Sequence, residues 1–215
     1  MSLRLPPPLV ALSPGDLAAD ATGDFLVAVR RAASAGLAGM LLREPEMSDR
    51  VLLALAREIR ALLSSGGWLA IHDRVHLADA CGADAIHLGF RSLAPKEARA
   101  VLRRDVGPGN ISIGFSAHAE DDPGLASGAD YLFFGPVLDT PSKRGRKEPI
   151  GFEGLAAGVT RSPTPLWAIG GLLPQHVRRC LDAGAAGIAV RAGIFSAPDP
   201  AAATAAFLRA LAATP

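Results

Sequence analysis

The sequence predicts a (β/α)₈ barrel, the TIM-barrel fold, that occupies residues 1–215 as a single domain. Eight short apolar runs recur along the 215 residues, each followed by a turn and then a helical pattern. Most runs are apolar on both faces, as expected for parallel strands covered by helices. A doubly wound open sheet is the alternative, but no G-x-G-x-x-G motif follows an early run. The alternation therefore favours a closed barrel of minimal size.

Each apolar run is predicted as one strand. The eight predicted strands cover residues 8–12, 38–43, 68–72, 85–89, 111–116, 131–135, 165–170 and 187–191. Their short, regular spacing leaves room for one helical connection after each. No linker, low-complexity tract or change in composition interrupts the series, so we expect one domain.

Helical patterns fill the intervals between these strands. The clearest cover residues 48–63, 94–104, 173–184 and 199–213. In the first, a stripe of apolar residues recurs at helical spacing, as in an amphipathic helix: Val51, Leu52, Leu55, Ile59, Leu62 and Leu63. Pro95 and Pro174 suit a first helical turn, and Gly184 suits a helix end.

The bulk composition excludes several classes of partner. The formal net charge is +1, which gives no general attraction to nucleic acid or to a membrane surface. No apolar run approaches the ~20 residues needed to cross a bilayer, and the proline-broken start does not read as a signal peptide. Only Cys81 and Cys180 are present, without metal-ligand spacing. We expect a cytoplasmic protein with reduced thiols.

In a barrel of this type, functional groups lie on the loops at the carboxyl ends of the strands. Gly170 and Gly171 follow the seventh strand, and Arg191 and Ala192 follow the eighth. Backbone amides in these two loops could bind a phosphate, or the glycines could simply make tight turns. On the phosphate interpretation, a bulky residue at Gly171 should abolish binding with little loss of fold.

The loop after the sixth strand offers a second anion site. Thr140 and Ser142 supply hydroxyl groups and Lys143 supplies a positive charge, a combination suited to a second phosphate or a pyrophosphate. The basic residues that follow are more typical of a solvated rim. Arg43 emerges from an otherwise apolar strand and needs an anionic partner, from the protein or from a ligand.

Titratable side chains at the ends of strands 3 and 5 are candidates for catalysis or metal binding. His72 and Asp73 could bind a metal or move protons, although His72 could equally be a supporting hydrogen-bonding residue. Asp73 alone could anchor Mg²⁺ together with substrate phosphates. Ser116 and His118 lie close together, but nothing completes a hydrolytic triad. His87, inside strand 4, is interpreted as a core histidine.

Several blocks together resemble the thiamine phosphate synthase/TenI family. In order they are "LLRE", "IHDRVHLADACGADAIHLG", "SIGFSAH", "GADYLFFGPVLDTPSK", "AIGG" and "AGIAVRAGIF". The resemblance runs from about residue 40 to 196 and rests on the order and spacing of the blocks. It implies a (β/α)₈ barrel. The family's synthases join a pyrimidine methyl pyrophosphate to a thiazole phosphate with Mg²⁺ and release pyrophosphate, whereas its TenI branch aromatises a thiazole phosphate carboxylate tautomer.

The resemblance assigns roles to individual residues. Arg43 matches the arginine of the synthase R-E-K block, and Asp73 matches one metal-binding aspartate. The pyrophosphate-loop pattern corresponds to Ser116, Thr140, Ser142 and Lys143, and the thiazole-phosphate glycines to Gly170 and Gly171. We therefore expect a small-molecule phosphate substrate and a weakened Mg²⁺ site, with no other cofactor. Since small barrels often pair, a homodimer is an open alternative.

The sequence departs from the synthase pattern at three places. Pro45 stands at the position of the lysine, His72 replaces an asparagine, and the G-Q-E-D block appears as residues 89–92, without the second metal carboxylate. Less positive charge and a weaker metal site would stabilise a departing pyrophosphate less. These losses favour a TenI-like thiazole-phosphate proton-transfer enzyme. A divergent synthase and a non-catalytic phosphate-binding protein are the alternatives.

The TenI pattern is also incomplete. That branch has a histidine directly after the glycine of strand 6, where this chain has Pro136. His72 or His118 could replace it if either reaches the thiazole ring, because histidine titrates near neutral pH. We therefore expect one of these two histidines to be the proton-transfer group.

Overall fold

Eight parallel strands close into a barrel in the computed structural model, which describes residues 3–105, 111–140 and 148–213. Each strand pairs with the next in sequence, and β8 pairs with β1 to complete the ring. The strands are β1 Leu9–Leu12, β2 Gly39–Leu42, β3 Trp68–His72, β4 Ala85–Leu88, β5 Ser112–Ala117, β6 Tyr131–Phe134, β7 Leu166–Ile169 and β8 Gly187–Val190. The predicted fold class is confirmed.

Alternate residues of the strands fill two separate apolar clusters, although β5 contributes buried residues only to the outer one. The inner cluster occupies the barrel interior and is rich in aromatic side chains. Trp68, Tyr131, Phe133 and Trp167 are its largest members, and each is at most 3% exposed. The outer cluster packs between the strands and the surrounding helices. The interior is therefore a filled core and not a pore, and barrels of this type carry their functional sites at one end.

Seven α-helices cover the strands in the part of the chain that the structure describes. They are α1 Thr22–Ser34, α2 Asp49–Leu62, α3 Pro95–Asp105, α4 Gly151–Arg161, α5 Val177–Asp182, α6 Ala192–Phe195 and α7 Pro200–Ala212. α2 buries Leu52, Leu55 and Ile59, as its predicted stripe requires. α3 begins at Pro95, as predicted. None of the helices among these residues is long and apolar enough to cross a membrane.

Two connections differ from the predicted strand–helix repeat. The described residues between β3 and β4 form only a short 3₁₀ turn at Val75–Leu77, and those between β5 and β6 form one at Pro123–Ala126. The second connection contains Pro123, Gly124 and Gly128, which disfavour a helix interior. The prediction of a helix after every strand is therefore wrong at these two places.

The amino-terminal segment closes one end of the barrel. The indole Nε1 of Trp68 donates to the Arg4 carbonyl at 3.1 Å, and that of Trp167 donates to the Pro7 carbonyl at 2.8 Å. The Ser112 hydroxyl also donates to the Arg4 carbonyl, at 2.9 Å. These bonds satisfy polar groups of the inner cluster and cover it. The accessible mouth is consequently at the carboxyl ends of the strands.

Candidate active site

Two arginine side chains converge above the end of β1. Arg43 directly follows β2 and Arg191 directly follows β8, the two neighbours of β1 in the ring. A Cβ placed on Gly15 would lie 3.1 Å from Nη1 of Arg43 and 3.8 Å from Nη1 of Arg191. Gly15, with φ +94°, thus leaves room for both guanidinium groups.

The charge of Arg43 is only partly compensated. Burial lowers its pKa, the nearby charges of Arg191 and Arg91 lower it further, and Glu44 opposes them. Within residues 3–105, 111–140 and 148–213, its guanidinium makes no hydrogen bond or ion pair. A half-buried cation of this kind is stabilised by an anion, so the arginine pair has the character of an anion site.

Glu44 stabilises the loop after β1, a role that was not predicted from the sequence. It is 2% exposed, and its carboxylate accepts hydrogen bonds from the backbone N–H of Gly15 at 2.9 Å and of Leu17 at 2.8 Å. It therefore holds the loop after β1 against the end of β2. The partners are about 30 residues away in sequence, so no local pattern could have indicated them.

His72 ends β3 as a neutral imidazole. Burial, and then the charge of Arg43, lower its pKa to about 4, and Asp73 opposes them. Its ring makes no hydrogen bond to another described residue, and its Nε2 lies 3.7 Å from where a Cβ on Gly89 would be. Near pH 7 this side chain can accept a hydrogen bond or a proton, but very little of it is protonated and able to act as an acid.

Asp73 is the non-glycine residue with positive φ in the described chain, at +69°. Backbone strain of this kind concentrates at functional sites, and the carboxylate is exposed. Among the residues that the structure describes, no three His, Cys, Asp or Glu side chains are grouped to hold a metal ion. Since Mg²⁺ often takes one or two carboxylates plus substrate phosphates, Asp73 fits an ion held mainly by the substrate.

The Ser116 side chain is hydrogen-bonded to a histidine in the barrel interior. Its hydroxyl lies 2.9 Å from Nε2 of His87, and Nδ1 of His87 lies 3.2 Å from the Tyr131 hydroxyl. His87 is 1% exposed, and burial lowers its pKa well below the ordinary value. The interpretation of His87 as a hydrogen-bonded core histidine is confirmed.

His118 lies in a different environment from His72. Its Nδ1 is 3.0 Å from a carboxylate oxygen of Asp121, which also accepts from its backbone N–H at 2.8 Å. It borders a groove on the outside of β5 and β6, where the connection without a helix leaves the strands less covered. The described contacts associate His118 with this groove, and its role in catalysis stays a prediction.

The glycines after β7 are packed against the loop after β6. The carbonyl groups of Ile169 and Gly170 accept from the N–H groups of Val137 and Leu138, at 2.9 and 3.1 Å. A Cβ on Gly171 would lie 2.4 Å from the Asp139 carbonyl oxygen. The expectation that a bulky residue at Gly171 would leave the fold intact is therefore wrong. Whether these glycines also bind phosphate stays a prediction.

The remaining predicted site residues are only partly described. Thr140 is half-buried within the loop after β6, and Ala192 is exposed at the start of α6. Ser142 and Lys143 lie outside the described residues. The mouth thus combines arginine charges, the neutral imidazole of His72, the exposed Asp73 carboxylate and the hydroxyl of Ser116 held by His87, a set suited to binding a highly charged phosphate ester.

A family comparison matches most of the chain. The model of the family described as thiamine monophosphate synthase matches residues 13–194. This range begins after β1 and ends within α6, and it contains all the site residues discussed above. The match therefore covers strands β2 to β8 together with the loops of the mouth.

Individual relatives agree with the family match. The chain is 40% identical over 180 residues to a putative thiamine-phosphate synthase of Geobacter sulfurreducens, covering 82% of each. It is 39% identical over 195 residues to a thiamine-phosphate synthase of Salinispora arenicola, covering 87% of this chain and 91% of that one. The solved thiamine phosphate pyrophosphorylase from Pyrococcus furiosus is similar with a TM-score of 0.80 and 26% identity, over 95% of both chains.

Proposed function

The chain belongs to the thiamine monophosphate synthase family, and from this membership we propose that it is a thiamine-phosphate synthase. The proposed reaction joins a pyrimidine methyl pyrophosphate to a thiazole phosphate and releases pyrophosphate. The observation that carries the proposal is the 39% identity to a relative named as a synthase, of which the chain covers 91%. The fold and the cationic mouth are consistent with it.

The TenI-like reaction, which the sequence favoured, has less support. The relatives compared above are named as synthases. The histidine that characterises TenI is replaced by Pro136, and His118 borders the outer groove. His72 has a pKa of about 4, which makes it a weak base for moving a proton at neutral pH.

In the proposed reaction, the protein mainly stabilises the negative charge that develops on the departing pyrophosphate. The bond between the pyrimidine methylene carbon and the pyrophosphate oxygen breaks, and its electron pair leaves with pyrophosphate. The thiazole nitrogen then supplies the electron pair for the new C–N bond. Arg43 and Arg191, whose guanidinium groups lie close together beside Gly15, would bind the leaving group, because preorganised positive charge is most effective where charge develops.

The other site residues are assigned by the same logic. Ser116 and Thr140 would donate hydrogen bonds to pyrophosphate oxygens, with Ser142 and Lys143 completing the loop. Gly170, Gly171 and Ala192 would present backbone amides to the thiazole phosphate. His72, being neutral, adds no positive charge beside the electron-poor pyrimidine methylene carbon. A Mg²⁺ ion bound by Asp73 and the substrate would neutralise part of the pyrophosphate charge.

Turnover of both substrates tests this proposal. The purified protein, given the pyrimidine pyrophosphate, the thiazole phosphate and Mg²⁺, should form thiamine phosphate, measured by chromatography. Arg43→Gln should lower kcat/KM about 10²-fold or more, because it removes charge from the leaving-group site. Arg50→Gln, on the exposed start of α2, is the matched control and should leave kcat/KM unchanged.

Two results would contradict the synthase assignment. Aromatisation of the thiazole carboxylate tautomer without thiamine phosphate formation would establish the TenI-like reaction instead. Thiazole-phosphate binding without turnover of either substrate would establish a binding protein.

A further inference from the structure

Three polar side chains form a continuous hydrogen-bonded chain through the barrel interior. Tyr131 on β6 contacts His87 on β4, and His87 contacts Ser116 on β5. Tyr131 and His87 are at most 1% exposed, whereas Ser116 is half-buried near the carboxyl end of its strand. The chain therefore runs from the dry core to the mouth of the candidate active site.

The Tyr131 hydroxyl is a fixed proton donor. Burial raises its pKa well above the ordinary value, so the hydroxyl stays protonated. Within the described part of the chain, its only hydrogen-bond partner is Nδ1 of His87, at 3.2 Å. Gly114 makes this position available, since a Cβ there would lie 2.4 Å from the Tyr131 hydroxyl oxygen. A buried hydroxyl proton needs an acceptor, and Nδ1 is the one present.

This contact determines which nitrogen of His87 carries the proton. The ring is buried and no carboxylate among the described residues bonds to it, so it is neutral and has one N–H. If Nδ1 accepts from Tyr131, the proton must be on Nε2. Nε2 then donates to the Ser116 oxygen at 2.9 Å. The opposite tautomer would leave the Tyr131 proton without an acceptor in the core.

This tautomer of His87 fixes the direction in which the Ser116 hydroxyl donates its proton. Because its oxygen already accepts from His87, its own proton is not used by the histidine and can point into the mouth. A hydroxyl arranged in this way is a preorganised donor for a phosphate oxygen.

We propose that Tyr131 and His87 are positioning residues that hold the Ser116 hydroxyl as a hydrogen-bond donor to a pyrophosphate oxygen of the substrate. The nature of the anion rests on the proposed function, whereas the direction of the three hydrogen bonds does not. Tyr131→Phe should loosen this direction, because no partner then holds the His87 proton on Nε2, and a ring protonated on Nδ1 would accept the proton of Ser116.

The tautomer can be measured without any substrate. In ¹⁵N-histidine-labelled protein, the signals of His87, assigned by their loss in His87→Gln, should show a neutral ring protonated on Nε2. In Tyr131→Phe, protonation should shift toward Nδ1. A charged ring, or a neutral ring protonated on Nδ1 in the unmodified protein, would overturn the proposal whether or not the protein makes thiamine phosphate.

Pyrophosphate affinity then tests the effect on the mouth. By calorimetry, Tyr131→Phe and Ser116→Ala should each weaken inorganic pyrophosphate binding about tenfold, the effect of one lost hydrogen bond to a charged group. The double variant should be no weaker than Ser116→Ala. If Tyr131→Phe lowers pyrophosphate affinity equally in the unmodified protein and in the Ser116→Ala variant, the tyrosine does not act through Ser116. Unchanged pyrophosphate affinity in Tyr131→Phe would also refute the proposal.

A matched variant separates this effect from a general loss of stability. Thr204→Val also removes a buried hydroxyl, which donates to the Pro200 carbonyl at 2.8 Å within α7. It should leave pyrophosphate affinity and the His87 signals unchanged. If thiamine phosphate formation fails while these measurements succeed, only the proposed reaction is lost.

Discussion

At the scale of single residues, Arg43 and Glu44 are neighbours at the end of β2 with different roles: Arg43 contributes positive charge to the mouth, and Glu44 holds the loop after β1. The Arg43 guanidinium approaches that of Arg191 above the end of β1, and the buried Glu44 carboxylate bonds the loop after β1. Glu44 also opposes the burial and charge that lower the pKa of Arg43. The carboxylate thus contributes both to the fold of the mouth and to its electrostatics.

Neutralising Glu44 should destabilise the protein. In Glu44→Gln, the new amide NH₂ can no longer accept from one of the two backbone N–H groups, so a buried donor loses its partner. We expect a loss of about 1–3 kcal/mol in the free energy of unfolding, measured by urea denaturation. Glu46→Gln, at the exposed neighbouring turn, should change it by less than about 0.5 kcal/mol. Equal losses in the two variants would show that the bonds of Glu44 do not matter.

At the scale of elements, the sequence predicted the strands well because each is a short run apolar on both faces. All eight lie within one or two residues of their predicted bounds. The connections between strands were harder to predict. A short turn such as Val75–Leu77 can replace a helix where less of the outer face of the strands has to be buried. The helical stripe of α2 was predictable because its own spacing carries the signal.

The contact between the loops after β6 and β7 can be tested with two glycines of the same conformation. Gly171 has φ +66° and Gly151 has φ +67°, but a Cβ on Gly171 would meet the Asp139 carbonyl at 2.4 Å, whereas one on Gly151 would meet no described residue within 4 Å. Gly151→Ala should cost about 1–2 kcal/mol from backbone strain alone. Gly171→Ala should cost about 1–3 kcal/mol more, because the clash adds to the strain.

Urea denaturation of the two glycine variants measures the difference. Equal destabilisation would mean that the loop after β6 can move to accommodate the added methyl group, and that Gly171 is not required for the packing of this loop.

The candidate site was less predictable than the strands. Arg43, Ser116 and Asp73 could be expected from their position after strands, because a barrel gathers strand ends at one mouth. Their partners could not be expected. The contacts of Glu44 with Gly15 and of His87 with Tyr131 join distant segments, and the positive φ of Asp73 has no signature in the sequence.

At the scale of the whole molecule, the two ends of the barrel have different tasks. At the amino-terminal end, Asp130 accepts from the N–H of Ile113 at 2.7 Å and from Arg99 at 2.7 Å. Asp84 has the equivalent contacts, with the N–H of Leu69 and with Arg60. Both aspartates follow a Gly-Ala pair just before a strand. This end supports the ring, and the other end carries the candidate site.

A change at the supporting end should therefore affect stability and not the site. Asp130→Asn removes the charge that pairs with Arg99 and weakens the bond to Ile113, so the free energy of unfolding should fall by about 1–3 kcal/mol. Pyrophosphate affinity at a temperature where the variant is folded should be unchanged. Asp79→Asn, at an exposed position, is the control and should alter neither. A large loss of affinity in Asp130→Asn would show that the two ends are coupled.

The pairing of β8 with β1 has a consequence for how the chain is made. Val10 is aligned with Ala189, so the first strand keeps one open edge until the last one has been synthesised. Until then, the part of the growing chain outside the ribosome holds that edge unpaired, and an unpaired edge can associate with other chains. Completion of the ring is thus a late event in biosynthesis, because it must wait until the residues up to Val190 have emerged.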